Sequence, residues 1–174
     1  MMSIVSFFWL SVFLFAIVGW MRGWAKELLV SFSAILALGL NYLLIQYVPF
    51  ISSLPKDDVT LFWIQTIILL VLVYFGYQTV SLTRLAGKAV REKIQDSLFG
   101  GILGAFNGYL IVGSILYWMD IANYPFPDFI SAPTEPVATT VNQMMAYMPP
   151  ELFGVPGIYF AIILAFIFVL VVYI

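Results

Sequence analysis

Charged side chains fall in a few short stretches of this chain, and long uncharged apolar runs separate them. The runs cover about Ile4–Met21, Leu28–Val48, Leu61–Thr83, Leu98–Met119 and Gly157–Ile174. A helix rises about 1.5 Å per residue, so crossing a hydrocarbon core takes roughly 20 apolar residues. The pattern predicts an all-α membrane protein, a multi-pass bundle of about five transmembrane helices in one domain spanning residues 1–174. Residues 120–156 are read as an extracytoplasmic loop, within which Val137, Val141, Met144, Met145 and Met148 recur at helical spacing. That spacing suits either a short amphipathic helix on the outer leaflet or a loop packed over the span ends. The last run stops at Ile174 with no polar anchor, which leads us to expect that the natural protein continues further.

Within the runs, small and polar residues keep helical register. Ser31, Ala34, Leu38 and Asn41 share one face of the second run. Gln65, Leu69, Leu72, Gly76, Thr79 and Thr83 do the same in the third. In lipid such seams mark contact between helices, with Asn41, Gln65 and Asn107 as intramembrane polar groups forming interhelical hydrogen bonds. Gly100, Gly104 and Gly108 repeat every four residues in the fourth run. Small residues at this interval let two backbones approach closely. The face suits packing against span two or three of the same chain, or self-association of two chains into a homo-oligomer.

Composition sharpens the class. Of the 174 residues 63% are apolar and 9% charged, far from the roughly 25% charged of soluble domains. That balance excludes a soluble enzyme and a nucleic-acid binder, and makes the lipid bilayer the first partner. The chain has neither histidine nor cysteine, so imidazole bases, thiol nucleophiles, disulfides and the usual zinc ligands are missing. We expect no enzymatic activity, no cofactor and no metal. No run holds an Asp, Glu, Lys or Arg in its interior, which argues against a proton-coupled carrier with a buried carboxylate.

Basic residues set the expected orientation. Arg22 and Lys26 follow the first run, and Arg84, Lys88, Arg91 and Lys93 lie between the third and fourth. Only Lys56 falls on the opposite side. The positive-inside rule then places the N-terminus outside. Positive charge follows the first run instead of preceding it, so the run reads as a retained span rather than a signal peptide. Trp20 and Trp24 are expected at the inner interface and Tyr47, Trp63, Trp118 and Tyr124 at the outer one.

Two clusters carry the remaining polar chemistry. In Gly19-Trp-Met-Arg22-Gly23-Trp-Ala-Lys26-Glu27-Leu28, the glycines allow a sharp connection. Glu27 suits the positive end of the second helix and can pair with Arg22. Asp96 stands before the glycine run as a candidate N-cap of the fourth span.

At these clusters the chain resembles the colicin V production protein (CvpA) family of bacterial inner-membrane proteins. The first is similar to the family's Gly-x-x-Arg-Gly-aromatic-x-Arg/Lys-Glu turn. The second, Asp96-Ser-Leu-Phe-Gly100-x-x-x-Gly104-x-x-x-Gly108, is similar to its Asp-Arg-x-x-Gly-x-x-x-Gly-x-x-x-Gly run. Ser97 and Asn107 depart from it, standing where the family usually has arginines. The resemblance covers about residues 4–120 and implies a multi-pass protein of the bacterial plasma (inner) membrane. It implies support of toxin production, export or envelope homeostasis, as a pore-forming or transport-accessory subunit. The alternative is a non-conducting scaffold that binds a partner protein. By likeness, Arg22, Gly23, Glu27, Asp96, Gly100, Gly104 and Gly108 are the positions that matter.

Overall fold

A computed structural model describes residues 3–78, 90–128, 130 and 132–173. The regular elements among them are helices: α1 (Ile4–Arg22), α2 (Trp24–Tyr47), α3 (Pro49–Ser52), α4 (Val59–Tyr77), α5 (Val90–Ile121), α6 (Val137–Met145), α7 (Pro149–Leu152) and α8 (Gly157–Tyr173). Four of them, α1, α2, α4 and the Lys93–Ile121 part of α5, are long and apolar enough to cross a membrane. The fifth candidate is a broken one, in which Val137–Leu152 and Gly157–Ile167 meet at 57°. The protein is an all-α, multi-pass membrane protein with four or five spans.

Helix α5 is the axis of the bundle. It packs along α1 and α2, with α4 and α7 against its remaining sides. The seam predicted for α2 is the buried one: Ser31, Ala34, Leu38 and Asn41 all turn inward. On α4 the buried face is rotated from the predicted one and runs through Phe62, Thr66, Leu69, Val73 and Gly76. Leu69 and Gly76 were expected there, whereas Gln65 and Leu72 lie at its half-buried edge. The aromatic end fixes this rotation, because Phe62 packs edge-on against Phe126 at 6.0 Å between ring centres. Thr79, Thr83, Arg84 and Lys88 fall outside the described residues.

Local chemistry explains where α4 starts. Asp58 is its N-cap and accepts the Thr60 N–H at 2.6 Å. The side-chain and backbone hydrogen bonds from Thr60 hold this carboxyl below its ordinary range. A depressed carboxylate supports folding at neutral pH, and that support fades as pH falls through the lowered value.

Two expectations about the outer end need correction. Trp118 and Tyr124 are not interfacial anchors; both are buried in the core beneath the chain that follows α5. Of the two readings left open for the helical spacing within residues 120–156, the structure departs from the outer-leaflet helix. Val141, Met145 and Met148 are buried, so α6 turns its apolar side to the bundle rather than to a leaflet. Met148 and Pro149 fill the hollow over Gly113, and the Tyr109 hydroxyl donates to the Tyr147 carbonyl at 2.5 Å. Tyr109 precedes the end of α5 by twelve residues, about 18 Å of helix. The segment therefore folds back deep along α5 before α8 begins. Irregular backbone at such depth needs partners within the protein, and Tyr109 supplies one.

Candidate functional site

The two sequence clusters meet at one end of the bundle, where α1 turns into α2 beside the first half of α5. Gly23 makes the turn. Its φ of 85° and ψ of 158° lie in a region that essentially only glycine occupies. A Cβ here would also sit 2.5 Å from an Asp96 carboxylate oxygen.

That carboxylate has a specific task. Gly23 offers no side chain to cap α2, and the Trp24 N–H donates instead to Asp96 Oδ1 at 3.0 Å. The expected capping role of Asp96 is thus real but misplaced. Helix α5 begins at Val90, so Asp96 lies inside it and caps α2 across the helix interface. A negative charge at that helix end also complements the dipole. Asp96→Ala is expected to destabilise the protein by about 0.5–2 kcal/mol, and Asp96→Asn by less, since an amide oxygen still accepts. Thermal unfolding of the two variants in detergent checks this order.

One turn further along α2, Glu27 is fully buried. Its place in the first turn of α2, paired with Arg22, is the expected one; its complete burial was not expected. The residue is tolerated because each carboxylate oxygen has a partner: Oε1 is paired with Arg22 Nη1, and Oε2 accepts from Asn107 Nδ2 at 2.7 Å. Asn107 donates a second time, to the Glu27 carbonyl at 2.9 Å, and its own oxygen accepts from the Ser31 hydroxyl at 2.6 Å. Arg22 reaches α4 as well, donating to the Tyr77 carbonyl at 3.1 Å with its guanidinium 4.4 Å from the Tyr77 ring centre. This network ties α1, α2, α4 and α5 together. An ion pair removed from water is stable only when its remaining donors and acceptors are also satisfied, and here Asn107 and Ser31 do that.

The glycine face completes the site. Gly100 and Gly104 press onto Gly19, Gly23 and the Phe15 carbonyl, and Gly108 onto Val12 and Phe15. Gly19 meets Gly100 and Gly104 in turn, so the two backbones touch with no side chain between them. The partner of the glycine face is therefore α1 of the same chain. The expected packing against span two or three is thereby corrected: the α1–α2 turn brings Gly19 directly opposite Gly100 and Gly104.

Of the residues singled out from sequence, Arg22, Glu27 and Asn107 form the network, Gly23 and Asp96 form the cap, and Gly100, Gly104 and Gly108 form the close contact. Asn41 and Gln65 lie apart, toward the other end, where Asn41 Nδ2 donates to the Gln65 carbonyl at 3.1 Å. Gly19 was read only as one of the two turn glycines, not as the surface facing Gly100 and Gly104; Tyr77 was not singled out and carried no signal separating it from other aromatics.

A family profile described as Colicin V production protein matches residues 6–135. This chain belongs to the colicin V production protein family. No curated protein and no solved structure matches it. In this colicin V production family protein, the matched stretch holds α1 to α5 and with them the network, the cap and the glycine face. Helices α6 to α8 follow it. The family-defining part is the bundle core, and the later helices wrap onto it.

Proposed function

We propose that this colicin V production family protein is a non-conducting accessory subunit of the bacterial inner membrane. It supports toxin export or envelope homeostasis by contact with a partner protein and performs no catalysis of its own. One observation carries this reading. Among the described residues the buried Thr66 and Tyr77 hydroxyls are left without a hydrogen-bond partner, but in the network Arg22–Glu27–Asn107–Ser31 the polar side chains are engaged with one another and with backbone, and α1 fills the small-residue face. Groups locked in this way hold helices in place and are poorly suited to exchanging partners with a moving solute. The outward side of α1, with Trp9, Phe13 and Met21 exposed, remains for lipid or for a partner helix. The test is purified protein in liposomes, followed for release of ions and small solutes. Leakage equal to that of protein-free liposomes is expected. Specific flux above that level would replace this reading with a pore.

A further inference from the structure

A recess of about 290 Å³ lies away from the network, between α2, α4, α5 and the junction of α7 with α8. Its walls are mostly apolar, with Tyr42, Trp118 and Phe153 as aromatic surface, and the carboxamides of Asn41 and Gln65 interrupt them. A carboxamide taken out of water ordinarily finds partners for both of its ends. Asn41, only 3% exposed, uses one end: Nδ2 donates to the Gln65 carbonyl at 3.1 Å. Among the described residues its Oδ1 accepts no hydrogen bond, and the Gln65 side chain makes none. Neither group is sealed in the core as the Thr66 hydroxyl is; both line the recess.

The charges stay at the rim. Lys56 is exposed with Asp57 and Asp58 next to it in the chain, and Glu151 accepts from the Tyr117 hydroxyl at 2.6 Å. The interior therefore offers amide groups and ring faces, which suit a neutral molecule. Its size is bounded as well. Ile158 and Ile162 of α8 pack over Gly39 of α2 and end the recess there, so a long acyl chain has no slot to follow. A cavity of about 150 Å³ holds one benzene ring, so the space here takes a body of about two fused rings. The break between α7 and α8 forms part of the wall through Phe153 and Gly154. Irregular backbone within a membrane protein is tolerated where it lines such a cavity.

We infer that the recess is a binding site for a small, neutral, flat aromatic molecule that carries an amide edge, a donor beside an acceptor. Its N–H donates to Asn41 Oδ1, its carbonyl accepts from Gln65 Nε2, and its rings lie among Tyr42, Trp118 and Phe153. A purely apolar guest would leave both carboxamides unpaired, which costs more than the hydrogen bonds are worth in water. Phe153 and Gly154 follow the family match, so the later segment completes the site. The proposal stands whether or not the chain conducts.

The experiment titrates the full chain in nanodiscs with 2-quinolinone, a bicyclic lactam, by isothermal calorimetry, subtracting the heats of empty nanodiscs. Saturable binding at one site per chain is expected. Gln65→Leu should weaken it about tenfold or more, the effect of losing a hydrogen bond in a site built to make it. The Asn41 contact goes to the Gln65 backbone and survives this change, and circular dichroism checks native helicity. N-methyl-2-quinolinone, which keeps the rings and the carbonyl but not the donor, should bind the unaltered protein at least about tenfold more weakly. Phe153→Ala should weaken lactam binding too. No saturable binding would mean that the recess holds water only, and would overturn the proposal. Equal binding of the N-methyl compound, or unaltered affinity in Gln65→Leu or Phe153→Ala, would overturn it as well.

Discussion

Gly104→Leu is expected to push α1 off α5 and to leave most of the protein unfolded or aggregated on extraction. A Cβ at this position would lie 2.9 Å from Gly19 Cα and closer still to the Phe15 carbonyl oxygen. Both obstacles are backbone, so no side-chain rotation relieves them. Forcing extra atoms into packed interiors costs about 1–3 kcal/mol when side chains can adjust. Here the adjustment must move a whole helix, and a loss beyond about 3 kcal/mol is expected against a typical stability of about 5–15 kcal/mol. Lipid tails drive helices together only weakly, so close packing is the term that would be lost. Gly101→Ala is the control. Its added carbon would find Trp20 Cε3 at 3.4 Å and the Ala16 carbonyl at 3.6 Å, which is ordinary contact. Thermal unfolding in a mild detergent should separate the two by many degrees.

Arg22→Met is expected to cost about 3–5 kcal/mol, the range for removing one partner of a buried ion pair. The mechanism lies in what is left behind. Glu27, fully buried, would keep its negative charge with only Asn107 to compensate it. Adding Glu27→Gln should recover part of the loss, since a neutral carboxamide oxygen can still accept from Asn107 and needs no counter-charge. The order of unfolding temperatures should therefore be wild type, then the double variant, then Arg22→Met. If the double variant is the least stable, the two changes act independently and the carboxylate is not the source of the cost.

Much of this arrangement follows from patterns within single helices. The α2 seam could be read directly, because a period of three and four residues on one helix needs no knowledge of the partner. The importance of Gly100, Gly104 and Gly108 was legible for the same reason; what fills them was not. Pairing α5 with α1 depends on how the turn at Gly23 aims α2, and that is set by a contact with Asp96 more than seventy residues away. Asp96 shows the limit most plainly. Sequence identified a capping residue, yet the helix it caps is a different one, since the start of α5 lies further upstream. Glu27 is similar: its place beside Arg22 suggested a pair at the membrane edge, whereas its burial results from Asn107 and Ser31 arriving from two other turns. For residues 137–152 the sequence left an outer-leaflet helix and packing over the span ends both open, because a Met- and Val-lined helix face looks alike whether it meets lipid or protein.

The glycine face is expected to close within a single chain also in the membrane. The absence of cysteine from the sequence makes a clean test available. A Cβ at Gly101 would lie 3.7 Å from Trp20 Cβ, close to the separation found in disulfides. The double variant Trp20→Cys, Gly101→Cys, oxidised in membranes and run on a non-reducing gel, should yield an internally bridged monomer. Mixing the two single variants should then yield no disulfide-linked pair. A cross-linked dimer from the mixed single variants, with no bridge inside the double variant, would contradict the account and return the glycine face to self-association.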